Sequence, residues 1–449
     1  MLKIKFYRQR IYVTCFLLFI FAICLVYAIV IPYNDAPDEE MHFQIVNYIF
    51  RHGSLPHGGD PEIRSPIWGL SYGFTPYLPY IIGALFVKIS SFFSMDINIY
   101  VIAARMVSVL CGVFISYYCI KISQNLFTKY YRWLFVIFCV LLPGTVFLFS
   151  YINCDSMSVL SSAMIIYAWI RGLKTKWDFR YCVLLAIGIS VCILSYFNAY
   201  GYILCSIFLF FVSYFHLFKK DYNFKDFRNK LLLITSIVFG LVLWWFIRNA
   251  ILYNGDIIGI ETSDHYAEMY ARADLKPSAR ITLAKQGIPF YSFIIHSCWA
   301  PMVYFSFIGL FGYMKIKITP YWIYIVYFVF FLLFVVGLIW NVISKRKLFK
   351  NKKHIVSKYF NITMFIAFLI PIILSLHYSY YSDFQPQGRY LAPLIIPLMY
   401  FLVIGLKQLM NKIVKTTRLK KIILTLIGTF YALSPIYCLI FILIPQYNK

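Results

Sequence analysis

Asn34-Asp35-Ala36-Pro37-Asp38-Glu39-Glu40-Met41-His42-Phe43 sets four carboxylates and an imidazole just beyond the first long apolar run, residues 11–31. The chain has only 17 Asp plus Glu in 449 residues, so four within six positions mark a candidate site. A carboxylate at a membrane surface can take a proton from an incoming acceptor, and shifted carboxylates concentrate at functional sites. The plain alternative is a solvated cap on a helix end. Two arginines extend the chemistry. Arg248 closes the run Trp244-Trp245-Phe246-Ile247, and Arg389 stands in Gln385-Pro386-Gln387-Gly388-Arg389-Tyr390 at the start of another apolar run. A guanidinium holds a phosphate by paired hydrogen bonds. Acids and arginines together point to group transfer from a phosphate-linked donor. Asn153 and Asp155 lie between two further apolar runs. Each of these residues has a simpler alternative. Arg248 and Arg389 suit snorkelling to the headgroups, Asp155 suits a helix cap, His42 suits a hydrogen-bonded loop and Gly388 a tight turn.

The elements that position these residues are membrane helices. Hydrophobic residues make up 61% of the chain and charged residues 13%, about half the charged share of a soluble domain. Many apolar runs are long enough to cross a bilayer at 1.5 Å per residue. The class is all-α, a polytopic transmembrane bundle. The run 11–31 is too long for a signal-peptide core and lacks a small-residue cleavage site, so it reads as a retained anchor. The net charge of +25 fits cytoplasmic loops rather than nucleic-acid binding. The 11 Cys form no C-x-x-C pair and lie mostly inside apolar runs, as small buried hydrophobes.

The cations set the topology. Lys3, Lys5, Arg8 and Arg10 precede the first span, so the N-terminus is expected in the cytoplasm. The basic segments 121–132, 171–180, 219–230, 345–358 and 407–421 are expected on that side too. Asp178, Asp221 and Asp226 are the acids among them. That pattern predicts about eleven crossings: 11–31, 100–120, 133–150, 157–171, 181–197, 201–217, 231–250, 320–342, 359–377, 390–406 and 422–444. It leaves 75–95 and 297–314 as juxtamembrane elements on the outer side. A short helix is expected over 39–51 with Met41, Ile45, Tyr48 and Ile49 on one face. The whole chain, 1–449, reads as one domain. Residues 32–74 form its first outer loop and 251–319 its second large outer segment. This topology gathers Asp38, Glu39, His42, Asn153, Asp155, Arg248 and Arg389 at the outer face, where intramembrane and interfacial charges are usually functional.

Pro37-Asp38-Glu39 with His42-Phe43 resembles a family of bacterial polytopic membrane proteins related to the GT-C glycosyltransferases, the superfamily of protein O-mannosyltransferases and the lipid A aminoarabinose transferase. Further stretches are similar in the same order: Tyr72 to Pro79, Arg105-Met106-Val107-Ser108, Asn153-Cys154-Asp155-Ser156, Arg248-Asn249 with Tyr253-Asn254-Gly255-Asp256, Ser306 to Gly312 with Pro320, and Gln387-Gly388-Arg389-Tyr390 with Pro393. The resemblance implies a GT-C helical bundle that uses a polyprenyl-phosphate sugar and acts on the outer face of the bacterial cell membrane. It implies Asp38 as the residue that activates the acceptor, with Glu39 as its catalytic neighbour. It implies a substrate-binding set of His42, Tyr77, Arg105, Asn153, Asp155, Arg248, Asn249, Gln387, Arg389 and Tyr390. Relatives commonly carry Pro after the Asp-Glu pair, where this chain has Glu40. Some superfamily members need a divalent metal and others do not; Asp38, Glu39 and Asp155 suit either case.

The expected function is therefore a membrane glycosyltransferase with an outer-face glycan, lipid or protein as acceptor. A polysaccharide polymerase and a transporter or flippase of lipid-linked oligosaccharide are the alternatives. The first typically uses two large arginine-rich outer loops, and the second places ionisable residues at mid-membrane.

Overall fold

A computed structural model describes residues 2–128, 130–219, 223–346 and 352–448. Lys129, Lys220, Asp221 and residues 347–351, which entered the charge pattern, lie outside the described residues. The chain is helical almost throughout. Helix α1 (Leu2–Val30) leads into α2 (Glu39–His52), and a loop reaches α3 (Leu78–Ser90) and α4 (Ile97–Leu126). Then follow α5 (Tyr130–Val140), α6 (Pro143–Leu148), α7 (Asp155–Thr175), α8 (Phe179–Ile193), α9 (Gly201–Val212) and α10 (Phe224–Leu252). The second half holds α11 (Ile260–Tyr270), α12 (Phe290–His296), α13 (Trp299–Gly309), α14 (Trp322–Arg346), α15 (Lys352–Tyr381), α16 (Ile395–Ile413), α17 (Thr417–Cys438) and the short α18 (Ile444–Tyr447). Two-residue strands, Leu310–Phe311 and Ile316–Lys317, pair antiparallel between α13 and α14.

Among the described residues nine helices are long and apolar enough to cross a membrane, or ten when the bent pair α12–α13 is taken as one span. The prediction of about eleven full crossings is corrected at two places. The run 133–150 is two helices, broken between Val140 and Pro143 because a proline ring disfavours helical backbone in the residue before it. The run 181–197 is the shorter α8, of 15 residues. The two runs left outside the spans are also distinct: 75–95 is the 13-residue α3, and 297–314 belongs to a pair bent by 51°. Helix α2 forms as expected but is rotated. Its buried residues are Glu39, His42, Phe43, Ile45 and Val46, while Met41, Tyr48 and Ile49 are half-buried.

Outward-facing Leu18, Leu204, Ile251, Phe328 and Leu426 are exposed, as expected for side chains that meet lipid rather than water. The helices meet through small residues and polar ties. A Cβ on Gly405 of α16 would lie 1.9 Å from the Leu333 carbonyl oxygen of α14, and one on Gly337 would lie 2.2 Å from that of Phe401. The two backbones thus touch where neither has a side chain, the arrangement small residues permit in membrane bundles. Tyr27 of α1 donates to the Pro435 carbonyl of α17 at 2.6 Å. Nine of the eleven cysteines are buried and all are free thiols.

Helices α4 and α7 define two ends of the bundle. At one end Lys174 donates to the Asn125 side chain at 2.9 Å, and Lys230 reaches the Lys176 carbonyl at 3.0 Å. At the other lie the start of α7, the end of α1 and Arg105, near the start of α4. The structure therefore puts the basic segment 121–128 and residues 151–156 at opposite ends.

Candidate active site

The four carboxylates of the acidic stretch do not form one cluster. Each has its own partners. Asp35 accepts a hydrogen bond from the Tyr447 hydroxyl at 2.5 Å. Glu40 is exposed and accepts one from the Asn34 side chain at 3.0 Å. Glu39 is fully buried and faces Arg105, which is 2% exposed. Arg105 Nε and Nη2 donate to Glu39 Oε1 and Oε2 at 2.7 and 2.6 Å. The Ile152 amide donates to Oε1 at 3.0 Å and the Asn34 amide to Oε2 at 3.2 Å. The remaining Arg105 donors reach the carbonyls of Ala28, Ile31 and Pro32 at 2.6, 2.6 and 3.1 Å, where the end of α1 presents unpaired oxygens. This pair locks α1, α2, α4 and the turn before α7 together. Every oxygen and nitrogen of it is used inside the protein.

Asp38 is placed differently. It stands at the N-cap of α2, where an aspartate ordinarily has extended backbone and accepts from the first-turn amides. Here it has φ 60° and ψ 12°, and its side chain caps nothing. The left-handed backbone turns the carboxylate out of the helix. Oδ2 takes the Tyr72 hydroxyl at 3.0 Å and a guanidinium nitrogen of Arg389. Oδ1 accepts no hydrogen bond among the described residues. Strained backbone of this kind collects at functional sites. Burial alone would raise the Asp38 carboxyl. The charge and hydrogen bond of Arg389, with the Tyr72 hydroxyl, outweigh it and hold the group below the ordinary carboxylate range.

Arg389 is 8% exposed. Its Nε donates to Gln387 Oε1 at 2.7 Å, Nη1 to the Pro37 carbonyl at 3.3 Å, and Nη2 also to the Tyr390 hydroxyl at 3.2 Å. The Tyr390 hydroxyl donates to Gln385 Oε1 at 2.5 Å, and Gln385 Nε2 donates to Asp383 at 2.6 Å. The short 3₁₀ segment Gly388–Leu394 carries this network, and the Gly388 amide is fixed by Ser306 at 3.0 Å.

Asp38 and Tyr390 line a cleft of about 560 Å³ between the loop before α3, α11 and α15. Its floor and walls include Tyr72, Asn198, Arg280 and Tyr378, with Met41, Phe197, Pro371 and Leu374 as an apolar flank. The other expected residues divide as follows. His42 is buried under Tyr72, ring centroids 3.9 Å apart, and its Nδ1 is 2.8 Å from the Tyr80 hydroxyl. Burial pushes its imidazole down to about 3, so it is neutral at pH 7. Asp155 is buried and accepts from Asn198 at 2.8 Å, one residue behind the cleft wall. Asn153, rather than Asp155, caps α7 by accepting from the Ser156 amide at 2.8 Å. Asn249 is buried and donates to the Ile257 carbonyl at 3.2 Å.

Arg248 and Arg389, expected to hold one phosphate together, are not brought to one cavity. Arg248 lies with its guanidinium 5.0 Å from the centre of the Tyr77 ring and donates to the Pro56 carbonyl at 2.5 Å, away from the cleft lining. Tyr77 is buried and its hydroxyl is likewise spent on the Pro56 carbonyl at 2.9 Å. Sequence reasoning missed Arg280, which does line the cleft. It sits in the middle of a polar loop, away from any apolar run, and no spacing sets it apart. Among the described residues no group of three or more His, Cys, Asp or Glu is placed to hold a metal ion. Glu39 is committed to Arg105 and Asp155 to Asn198. These side chains are not gathered around one point that could hold a divalent metal.

No curated protein matches the sequence. Solved structures share the fold. Oligosaccharyltransferase AglB from Archaeoglobus fulgidus, in complex with an inhibitory peptide and a dolichol-phosphate, superposes with a TM-score of 0.54 at 12% identity over 97% of this chain and 56% of its own. The same enzyme complexed with Zn and sulfate gives 0.53 at 13% identity, over 96% and 53%. ArnT from Cupriavidus metallidurans bound to undecaprenyl phosphate covers 97% of this chain and 74% of its own at 13% identity, with a TM-score of 0.48. The chain spans about half the length of the oligosaccharyltransferase it matches. The likeness to the oligosaccharyltransferase shows the fold: an all-α polytopic membrane-helix bundle. A family model matches residues 62–399, most of the chain and all of the cleft except the segment carrying Asp38 and Met41. By that match the chain belongs to the family described as Predicted membrane protein (DUF2142).

Proposed function

We propose that this protein is a membrane glycosyltransferase. It moves a sugar from a polyprenyl phosphate to an acceptor hydroxyl on the outer face of a bacterial cell membrane. The observation that carries the reading is Asp38. Of the four carboxylates in its stretch it alone lines the cleft, with one oxygen fixed by Arg389 and Tyr72 and the other without a hydrogen bond among the described residues. A fold shared with an oligosaccharyltransferase solved with a dolichol-phosphate supports the donor class.

In this reaction the acceptor oxygen attacks the anomeric carbon. The bond from that carbon to the phosphate oxygen breaks, and the phosphate leaves with the electron pair. The acceptor proton passes to Asp38 Oδ1, and the configuration at the anomeric carbon inverts. Arg389 keeps Asp38 ionised at every neutral pH but makes it a weak base. Proton transfer therefore has to come late, after the carbon–phosphate linkage has largely opened and the acceptor hydroxyl has become acidic. Arg389 and Tyr72 act as positioning residues, since each touches Asp38 through a hydrogen bond and uses the αL backbone to aim it. The apolar flank of Met41, Phe197, Pro371 and Leu374 suits an isoprenoid chain.

The test is transfer of radiolabelled sugar from polyprenyl phosphate in membranes with matched protein levels. Asp38→Asn is expected to lower turnover by about 10² to 10⁴-fold, the usual worth of a general base. Wild-type turnover by Asp38→Asn would remove the reading.

A further inference from the structure

Arg389 has little left to offer a phosphate. Its Nε and Nη2 are spent on Gln387, Asp38 and Tyr390, and Nη1 points to the Pro37 carbonyl. Arg248 does not line the cleft. A phosphate-linked donor still needs a cation there. Arg280 lines the same cleft as Asp38. Its Nε donates to the Leu275 carbonyl at 2.9 Å, which fixes the plane of the guanidinium. Its two terminal nitrogens make no hydrogen bond among the described residues. No carboxylate lies within ion-pair distance of it there either; Asp264 is close enough only to feel its charge. The group sits over the Trp68 indole, 5.6 Å from the ring centre, a contact that holds a cation without consuming its donors.

The loop that presents Arg280 is ordered by its own bonds. The Arg280 and Ala279 amides close a turn on the Lys276 carbonyl at 2.9 and 3.0 Å. The Ser278 amide and hydroxyl both donate to Glu268 of α11, at 2.9 and 2.6 Å. At its start the loop is pinned where the Arg272 amide meets the Ile67 carbonyl at 3.1 Å. There Gly69, at φ +68°, comes so close that a Cβ would lie 2.2 Å from the Ala271 amide nitrogen. The guanidinium is thus aimed before any ligand arrives, with a planar pair of unused donors matched to phosphate oxygens.

We propose that Arg280 is the donor-phosphate receptor of the cleft: its terminal nitrogens bind the phosphate of a polyprenyl-phosphate lipid, while Arg389 serves Asp38. This rests on the donor class proposed above. It divides the labour expected of Arg248 and Arg389. One arginine sets the base, and a second, carried on the loop after α11, holds the leaving group.

The test is binding of undecaprenyl phosphate to the purified full-length protein in detergent, with undecaprenol as the uncharged control. Arg280→Gln is expected to weaken undecaprenyl phosphate about tenfold to hundredfold, the worth of a charge-assisted pair, and to leave undecaprenol unchanged. Arg280→Lys is expected to recover only part, because an ammonium lacks the fork. A second readout needs no variant. Phenylglyoxal modification of wild-type Arg280, followed by mass spectrometry, is expected to be blocked by undecaprenyl phosphate and not by undecaprenol. Equal affinity of wild type and Arg280→Gln for undecaprenyl phosphate, or modification of Arg280 undiminished by the lipid phosphate, overturns the proposal. Binding that depends on Arg280 without any sugar transfer keeps this site and removes the transferase reading. Transfer by wild type with binding indifferent to Arg280 does the reverse.

Discussion

Replacing Glu39 by Gln separates a structural carboxylate from a chemical one. Glu39 has no exposed surface, and its partner Arg105 has 2%. The carboxylate accepts from Arg105 Nε, Arg105 Nη2, the Ile152 amide and the Asn34 amide, which uses both oxygens twice. Glutamine keeps the volume but turns one oxygen into a donor. At either position that donor faces both a guanidinium N–H and a backbone amide, and the Arg105 charge is left buried without its counter-ion. Removing one partner of a buried ion pair costs about 3–5 kcal/mol. The remaining Arg105 contacts, to the Ala28, Ile31 and Pro32 carbonyls, lie at the negative end of the α1 dipole and recover about 1 kcal/mol of that at most. The expected net loss is several kcal/mol. A thiol-reactive dye suits the assay, because nine of eleven cysteines are buried and become reactive only on unfolding. Glu39→Gln is expected to melt well below wild type and to lose transfer only in proportion to the unfolded fraction. A Glu39→Gln protein that melts with wild type but has no transfer activity would refute this account and return Glu39 to the chemistry.

Arg389→Lys is expected to reduce transfer and to move the acid limb of its pH profile upward. Arg389 holds the Asp38 carboxyl below its ordinary range, so weakening that partner raises the pH at which Asp38 protonates; an unchanged acid limb would disconnect the pair from activity. The same shift bears on stability: a carboxyl lowered in the folded state contributes stability above its unfolded value of 3.8, lost as pH falls through the folded one. His42 acts through its depressed imidazole, which falls to about 3 on burial. Between its unfolded value of 6.5 and about 3 the unfolded chain binds the extra proton, so melting temperature is expected to fall with pH across that window, and His42→Gln to flatten the slope. Single cysteines at Asn125 and Gly255, in an otherwise cysteine-free chain, are expected to react with membrane-impermeant maleimide from opposite sides of sealed vesicles. Labelling from one side would contradict the placement of the basic and cleft ends.

The class of this protein follows from its sequence, because membrane helices satisfy their own backbone and a run of apolar residues reports a span without any knowledge of its neighbours. The break before Pro143 escaped that reading, since two short helices and one span have the same hydropathy. Residues 34–43 stand out in the sequence equally, because carboxylates are rare in this chain. Their division of labour is not. Asp38 and Glu39 are adjacent, and only the fold decides that one meets Arg389 at a cleft and the other meets Arg105 in the interior. Both arginines lie far along the chain from the acids they hold, and Arg105 sits inside a long apolar helix. The decisive local feature, the left-handed backbone at Asp38, departs from the extended N-cap an aspartate ordinarily adopts, and its carboxylate meets partners from distant segments instead of the helix amides. Arg280 shows the same limit. Its loop carries no periodicity, and its role rests on which donors its neighbours leave unused, a property that exists only once Trp68, Leu275 and Glu268 have been brought around it.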